Sequence, residues 1–76
     1  MQIGDKVICV YAGQTDQLRT HGNYEVLAVI DYEYKGSHIT VFDLDRNITV
    51  NGDYSHKRFM LESDVIKQVL ENAKNG

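Results

Sequence analysis

The stretch YEVLAVIDYEYKGSHITVFDL, residues 24–44, decides the fold because it contains two apolar segments separated by a turn. The first segment, YEVLAVID, alternates its side chains between two faces and is rich in β-branched residues, as is typical of a β-strand. The second segment, HITVFDL at 38–44, follows the dipeptide Lys35-Gly36, which is typical of a tight turn. The sequence therefore predicts a hairpin of two adjacent antiparallel strands.

Shorter segments on both sides of this hairpin predict further strands. KVICVYA at 6–12 is apolar and β-branched, ITVN at 48–51 is short, and YSHKRFML at 54–61 closes the β part of the chain. The loop at 13–23 is polar except for Leu18, which we expect to be tucked inward. Five short strands separated by turn residues predict a small, strongly bent antiparallel sheet.

Four of these segments also carry a resemblance to a known family. IGDKVICV, LRTHGNYEVL, FDLDRN and RFML resemble the pattern of small SH3-like β-barrel proteins that are common in tailed bacteriophages and in related bacterial proteins. The resemblance covers roughly residues 3–61. It implies a mainly β fold, a small SH3-like antiparallel barrel of about five strands, and it implies an interaction module. A C-terminal α-helix lies outside this pattern.

The apolar pattern changes at residue 63 to the period of a helix. Five apolar residues fall on one helical face: Val65, Ile66, Val69, Leu70 and Ala73. Ser63 is the expected N-cap. We therefore divide the chain into a β-barrel at 1–62 and an amphipathic helix at 63–76. A helix of about eleven residues is marginal alone in water, so its apolar face is expected to pack on the barrel or on a partner.

Composition and charge fit one small globular domain. The 76 residues are 42% hydrophobic and 25% charged, with a net charge of −3 at pH 7. The segment at 31–45 alone carries a net charge of −3. A pI near 5.4 disfavours a nucleic-acid backbone as the main ligand, because such binding depends on neutralising phosphates. The single cysteine, Cys9, and the lack of a basic and apolar leader predict a cytoplasmic protein, in the host cytoplasm if phage-encoded.

The sequence contains no recognisable catalytic or metal-binding pattern. His21, His38, His56 and Cys9 do not have the spacing of a zinc site, and no phosphate-binding loop or nucleophile elbow is present. We therefore predict a protein that is not an enzyme, with no metal and no cofactor. His21 and His38 are expected to face solvent, whereas Cys9 is expected to be a small buried hydrophobic residue.

Two groups of residues are candidate contact surfaces. Tyrosine buries its ring while its hydroxyl stays wet, and it is enriched in protein interfaces. The candidate protein-binding residues are the tyrosines near turns and the acidic residues of the hairpin: Tyr32, Glu33, Tyr34, Asp43, Asp45 and Tyr54. The candidate basic patch, which could face RNA, a phosphate or an acidic protein, consists of Arg46, His56, Lys57 and Arg58.

Purely structural roles are also open for residues in and near these two groups. Arg58 alternatively stacks its stem on the barrel, and Lys57 is then ordinary surface. Phe59 and Leu61 are expected to point into the barrel, and Tyr24 is expected to pack in the core.

These observations predict a small non-catalytic protein-binding module. The resemblance sharpens this to a phage accessory protein that modulates or inhibits a host protein, so the expected partner is a host or phage protein and not a membrane. The alternative is a KOW-like module that binds nucleic acid or a ribonucleoprotein through the local basic patch. A homodimer formed through the C-terminal helix is a third possibility.

Overall fold

Six strands form one antiparallel sheet, and one α-helix ends the chain, in a computed structural model that describes residues 1–75. The strands are β1 (Lys6–Cys9), β2 (Asn23–Tyr32), β3 (Gly36–Asp43), β4 (Ile48–Thr49), β5 (Tyr54–Ser55) and β6 (Phe59–Leu61). The helix α1 spans Glu62–Asn75, and a 3-10 turn at His56–Arg58 joins β5 to β6. The prediction of a mainly β chain with a C-terminal helix is confirmed, while the predicted helix boundary at Gly76 lies outside the described residues.

The central hairpin forms where the sequence predicts it. β2 and β3 pair from Tyr24 opposite Asp43 to Tyr32 opposite Gly36. The backbone of Gly36 has a φ of 80°, a conformation that glycine adopts at little cost, so this residue ends the turn and begins β3. The hairpin is the longest ladder of the sheet, and its two ends carry most of the polar clusters described below.

The predicted closing strand at 54–61 is interrupted. Ser55 Oγ accepts a hydrogen bond from the Lys57 backbone N–H, which starts the 3-10 turn. β5 pairs with β3 on one side of this turn, whereas β6 pairs with β1 on the other. The turn therefore carries the chain from one part of the sheet to another. The first predicted strand, expected at 6–12, ends earlier, at Cys9.

The sheet is not closed into a barrel, so the predicted closure is wrong. The strand order is β4-β3-β2-β1-β6, with β5 paired to β3 outside this path. β4 and β5 are each two residues long. Two such short strands do not provide a continuous ladder of hydrogen bonds for β6. The chain passes from β5 to β6 through the 3-10 turn.

The core is formed by side chains of the strands, of the β1–β2 loop and of the segment between β4 and β5. The buried hydrophobic residues are Val7, Cys9, Ala12, Leu18, Tyr24, Val26, Ile39, Val41, Val50 and Phe59, with Tyr54 and Leu61 packed against them. The inward positions predicted for Leu18, Tyr24 and Phe59 are confirmed, as is the burial of Cys9. Burial also raises the pKa of the Cys9 thiol, which keeps it protonated and a poor nucleophile.

The helix α1 touches the sheet only near its beginning, where it contacts β1 and β6. It starts at Glu62, so Ser63 lies inside the first turn and is not the N-cap. Beyond the first turns its apolar face is uncovered, with Val69 60% and Leu70 58% exposed. Within residues 1–75, no helix combines the length and the apolar character needed to cross a membrane.

Candidate protein-contact surface

Asp43, a predicted contact residue, is fully buried at the end of β3. Its Oδ1 accepts the backbone N–H groups of Asp45 at 3.0 Å and Arg46 at 2.9 Å, and its Oδ2 accepts Arg46 Nε at 2.6 Å. Burial raises the pKa of Asp43, but the hydrogen bonds and charge of Arg46 outweigh it, so the pKa lies below its ordinary value. Asp43 therefore caps the turn from β3 to β4 and is not available to a partner.

The same turn is tied to the long β1–β2 loop by Asp45 and Arg46. Asp45 Oδ2 accepts the Asn23 backbone N–H at 2.9 Å, and this hydrogen bond is the main reason that the pKa of Asp45 is lowered. Arg46 Nη2 donates to the Gln17 carbonyl at 2.9 Å. Asp43, Asp45 and Arg46 together form a structural unit, which we call the turn lock. Both Asp45 and Arg46 are exposed at the surface, but their polar groups are already engaged.

A second polar cluster lies near the other end of the hairpin. Tyr32 Oη donates to Asp53 Oδ2 at 2.7 Å, and His38 Nδ1 lies 2.8 Å from Asp53 Oδ1. The Tyr32 and His38 rings meet edge to face at 5.0 Å, and Lys35 Nζ lies 5.3 Å from the centre of the Tyr32 ring. The prediction that His38 faces solvent is wrong, because its side chain is only 19% exposed.

The contacts of Asp53 predict how the free energy of unfolding changes in acid. The hydrogen bonds from Tyr32 and His38 lower the pKa of Asp53, so the ionised carboxylate is favoured in the folded protein. The resulting stability is complete above the unfolded-state pKa of about 3.9 and is lost as the pH falls through the lowered folded value. We expect the free energy of unfolding to fall less steeply with acid in Asp53→Asn than in the wild type.

Urea denaturation of both proteins between pH 6 and pH 2 measures this difference. Asp31→Asn is the matched control, because Asp31 is exposed on the same hairpin and carries no contact to His38. Parallel pH curves for wild type and Asp53→Asn would refute the role given to Asp53.

The tip of the hairpin carries the accessible part of the predicted protein-binding group. Tyr34 is 92% exposed and Glu33 is exposed beside it. Tyr32 is half-buried in the cluster with Asp53, and Tyr54 is half-buried against the core. The structure thus brings Tyr32, Glu33 and Tyr34 together at one end of the hairpin and places Asp43 and Asp45 at the other.

The predicted basic patch does not consist of free cations. Arg58 Nη1 donates to the Ala12 carbonyl at 2.8 Å, and the guanidinium lies 5.4 Å from the Tyr11 ring centre and 5.7 Å from that of Tyr54. Arg46 is held in the turn lock. His56 is half-buried and Lys57 is exposed. Of the four residues of the predicted patch, only Lys57 is therefore an exposed positive charge that the contacts above do not engage. The interpretation in which Arg58 packs on the β domain agrees with these contacts.

Gly13 permits this packing of Arg58. Its φ is 71°, and a Cβ built on it would lie 2.6 Å from Arg58 Nη1. We expect Gly13→Ala to lower the free energy of unfolding by about 1–2 kcal/mol, because the left-handed backbone is strained and the guanidinium is displaced.

Chemical denaturation of Gly13→Ala and Gly52→Ala separates these two causes. Gly52 has a similar φ of 84°, but a Cβ there would meet nothing within 4 Å. The Gly13 variant should be the less stable of the two. Equal losses would show that displacement of Arg58 contributes nothing.

The uncovered face of α1 forms an apolar surface on the protein. Its members are Ile66, Val69, Leu70 and Ala73, which we call the α1 stripe, and the first three are 52%, 60% and 58% exposed. At its base a shallow crevice of about 320 Å³ separates α1 from β1, lined by Asp5, Lys6, Leu61, Glu62, Ser63 and Ile66. The helical periodicity predicts the stripe, but whether the sheet would cover it depends on the direction in which the chain leaves β6.

The side chains that could act as metal ligands are scattered over the described residues. In the part of the chain that the structure describes, no three His, Cys, Asp or Glu side chains gather in a way that would hold a metal ion. No protein-family model matches the chain, no curated protein is significantly similar to it, and no solved structure matches it.

Proposed function

We propose that this chain is a small non-catalytic protein-binding module. The observation that carries the proposal is the α1 stripe, in which three large apolar side chains are more than half exposed. A helix of this length gains most of its stability from packing of its apolar face, and its own sheet covers only the beginning. Contiguous exposed apolar surface marks interaction sites in soluble proteins. A partner that covers the stripe would stabilise α1.

The finer proposal is an SH3-like module that serves as a phage accessory protein and modulates or inhibits a host protein. Two observations support it: the strands share one core and follow a long β1–β2 loop, and the segments that resemble the phage-associated family form β1, β2, β6 and the β3–β4 turn. The exposed Glu33 and Tyr34 at the hairpin tip offer a secondary contact.

The second candidate is a KOW-like module that binds nucleic acid. It is favoured by one observation, the Arg58 guanidinium between the rings of Tyr11 and Tyr54, because cations and aromatic faces together bind bases and phosphates. The net charge of −3 and the engagement of both Arg46 and Arg58 count against it. A titration with single-stranded RNA and DNA at low salt decides, since no binding, or binding unchanged by added salt, would remove this candidate.

The main proposal is tested by affinity capture with the full chain. The immobilised protein is exposed to a lysate of the cells in which it is naturally made, and retained proteins are identified and quantified by mass spectrometry. We expect one protein to be retained in a stoichiometric amount. If no protein is retained stoichiometrically, the proposal of a protein-binding module fails.

A further inference from the structure

We infer that α1 is a groove-binding helix and that its partner carries an apolar groove with an acidic rim on one side. This inference rests on the proposed function and names the chemistry of the partner. The exposed anchors Ile66, Val69, Leu70 and Ala73 stand at i, i+3, i+4 and i+7. That is the spacing with which an amphipathic helix inserts side chains into a hydrophobic groove of another protein.

The charges that border the α1 stripe indicate the chemistry of the groove rim. At about 100° per residue, Lys74 and Lys67 lie roughly 40° and 60° beyond Leu70 around the helix. Within residues 1–75, neither lysine takes part in a salt bridge. A groove that receives the stripe therefore meets two unpaired positive charges along this edge, so acidic residues on that rim would complement them.

The remaining residues of α1 make the expected rim one-sided. Val65 and Asn72 border the other edge of the stripe and are uncharged, while Asp64 and Gln68 lie on the far side of the helix. Glu71 lies beside the lysine edge, four residues after Lys67 and three before Lys74, but within residues 1–75 it forms no salt bridge with either. Complementarity is thus required along the lysine edge only. This asymmetry fixes the direction in which α1 would lie in the groove.

A second copy of this chain fits the α1 stripe less well. Two antiparallel α1 helices related by a two-fold axis would place each Lys67–Lys74 edge beside the same edge of the other copy, where like charges repel. A parallel pair would place the lysine edge against the uncharged edge. The contact between two copies is also small, because the facing side of a helix about 21 Å long and 10 Å wide covers on the order of 200 Å², against about 800 Å² per partner in a stable interface. A groove also contacts the flanks of the helix and so covers more of it than a second helix does.

The experiment repeats the capture with variants of the full chain. Leu70→Asp and Val69→Ser remove anchors, Lys67→Glu combined with Lys74→Glu reverses the lysine edge, and Gln68→Ala is the control on the far side of the helix. Circular dichroism and sedimentation of each variant verify its fold and its oligomeric state. A carbodiimide, which joins lysine amines to carboxylates in direct contact, then cross-links the wild-type complex for mass spectrometry.

We expect retention of the partner to fall at least tenfold in Leu70→Asp and about tenfold in the double lysine variant, and to be unchanged in Gln68→Ala. The cross-links should join Lys67 or Lys74 to Asp or Glu residues of the partner. Retention of a protein equally by wild type and Leu70→Asp would overturn the inference and leave the protein-binding function standing.

Two further results would also overturn it. In one, Leu70→Asp no longer retains the partner while the double lysine variant retains it as well as the wild type does. The rim of the groove would then not be acidic. The other is a wild-type dimer in sedimentation that Leu70→Asp converts to monomer, which would make the second copy the occupant. If the wild type retains no protein at all, the proposed function itself fails.

Discussion

Replacing Asp43 with alanine is expected to lower the free energy of unfolding by about 3 kcal/mol. The substitution removes the acceptor for two backbone N–H groups of the β3–β4 turn and the partner of Arg46. Arg46 is partly exposed and can regain water, so the loss is smaller than for a wholly buried pair. Equilibrium denaturation in urea at pH 7 measures it.

The control for this variant is Asp43→Asn, which keeps the shape of the side chain and one acceptor oxygen but removes the charge. It should cost less than the alanine variant. The pH dependence provides a second readout, because the lowered pKa of Asp43 makes its contribution disappear as the pH falls through the folded value. An Asp43→Ala protein as stable as the wild type would show that the turn lock is not needed for the fold.

Replacing Tyr24 with alanine is expected to cost about 4 kcal/mol, in the range measured for large aromatic residues in cores. Tyr24 is fully buried, and its ring meets Phe59 edge to face at 5.8 Å. Its Oη also accepts the Arg19 backbone N–H at 2.9 Å, which ties the β1–β2 loop to the core. A domain of this size has a total stability of about 4–11 kcal/mol, so the alanine variant should lose between about a third and all of it.

Tyr24→Phe separates the ring from the hydroxyl. The hydrogen bond from the Arg19 N–H and the interaction of Arg46 with the hydroxyl are lost, so we expect a cost of about 1–2 kcal/mol. Circular dichroism in increasing urea compares both variants with the wild type. A Phe variant as unstable as the Ala variant would mean that the hydroxyl, and not the packing against Phe59, holds Tyr24 in place.

The parts of the fold that local pattern determines were predictable from the sequence. The alternation from Tyr24 to Asp31 and the Lys35-Gly36 turn place β2 and β3, because side-chain period and turn chemistry act over a few residues. The helical period places α1. The burial of Leu18 follows in the same way from a single apolar residue in a polar loop.

Features that depend on distant partners were not predictable in this way. His38 is drawn out of solvent by Asp53, fifteen residues further along the chain, and Asp45 is engaged by Asn23, twenty-two residues before it. An acidic residue in a turn gives the same sequence signal whether it faces a partner protein or its own backbone. The Asp-x-Asp-Arg-Asn spacing at 43–47 does carry a local signal, since aspartate often caps a turn two or three residues ahead.

The open closure of the sheet has a related cause. Whether β5 and β6 join into one strand depends on the hydrogen bond of Ser55 and on the strands that each half meets. The alternation of apolar residues within 54–61 indicates neither the hydrogen bond of Ser55 nor the strands with which each half pairs. The same is true of α1, whose direction is set by β6 and not by its own amphipathic pattern.

The pairing of β1 with β6 has a consequence for synthesis of the chain. Val7 lies opposite Leu61, so β1 leaves the ribosome more than fifty residues before its partner strand β6. β1 can pair with β2 early, but its other edge stays open until residues 59–61 have emerged. Open edges invite pairing with other chains, so the interval before β6 arrives is when the nascent protein is most exposed to aggregation.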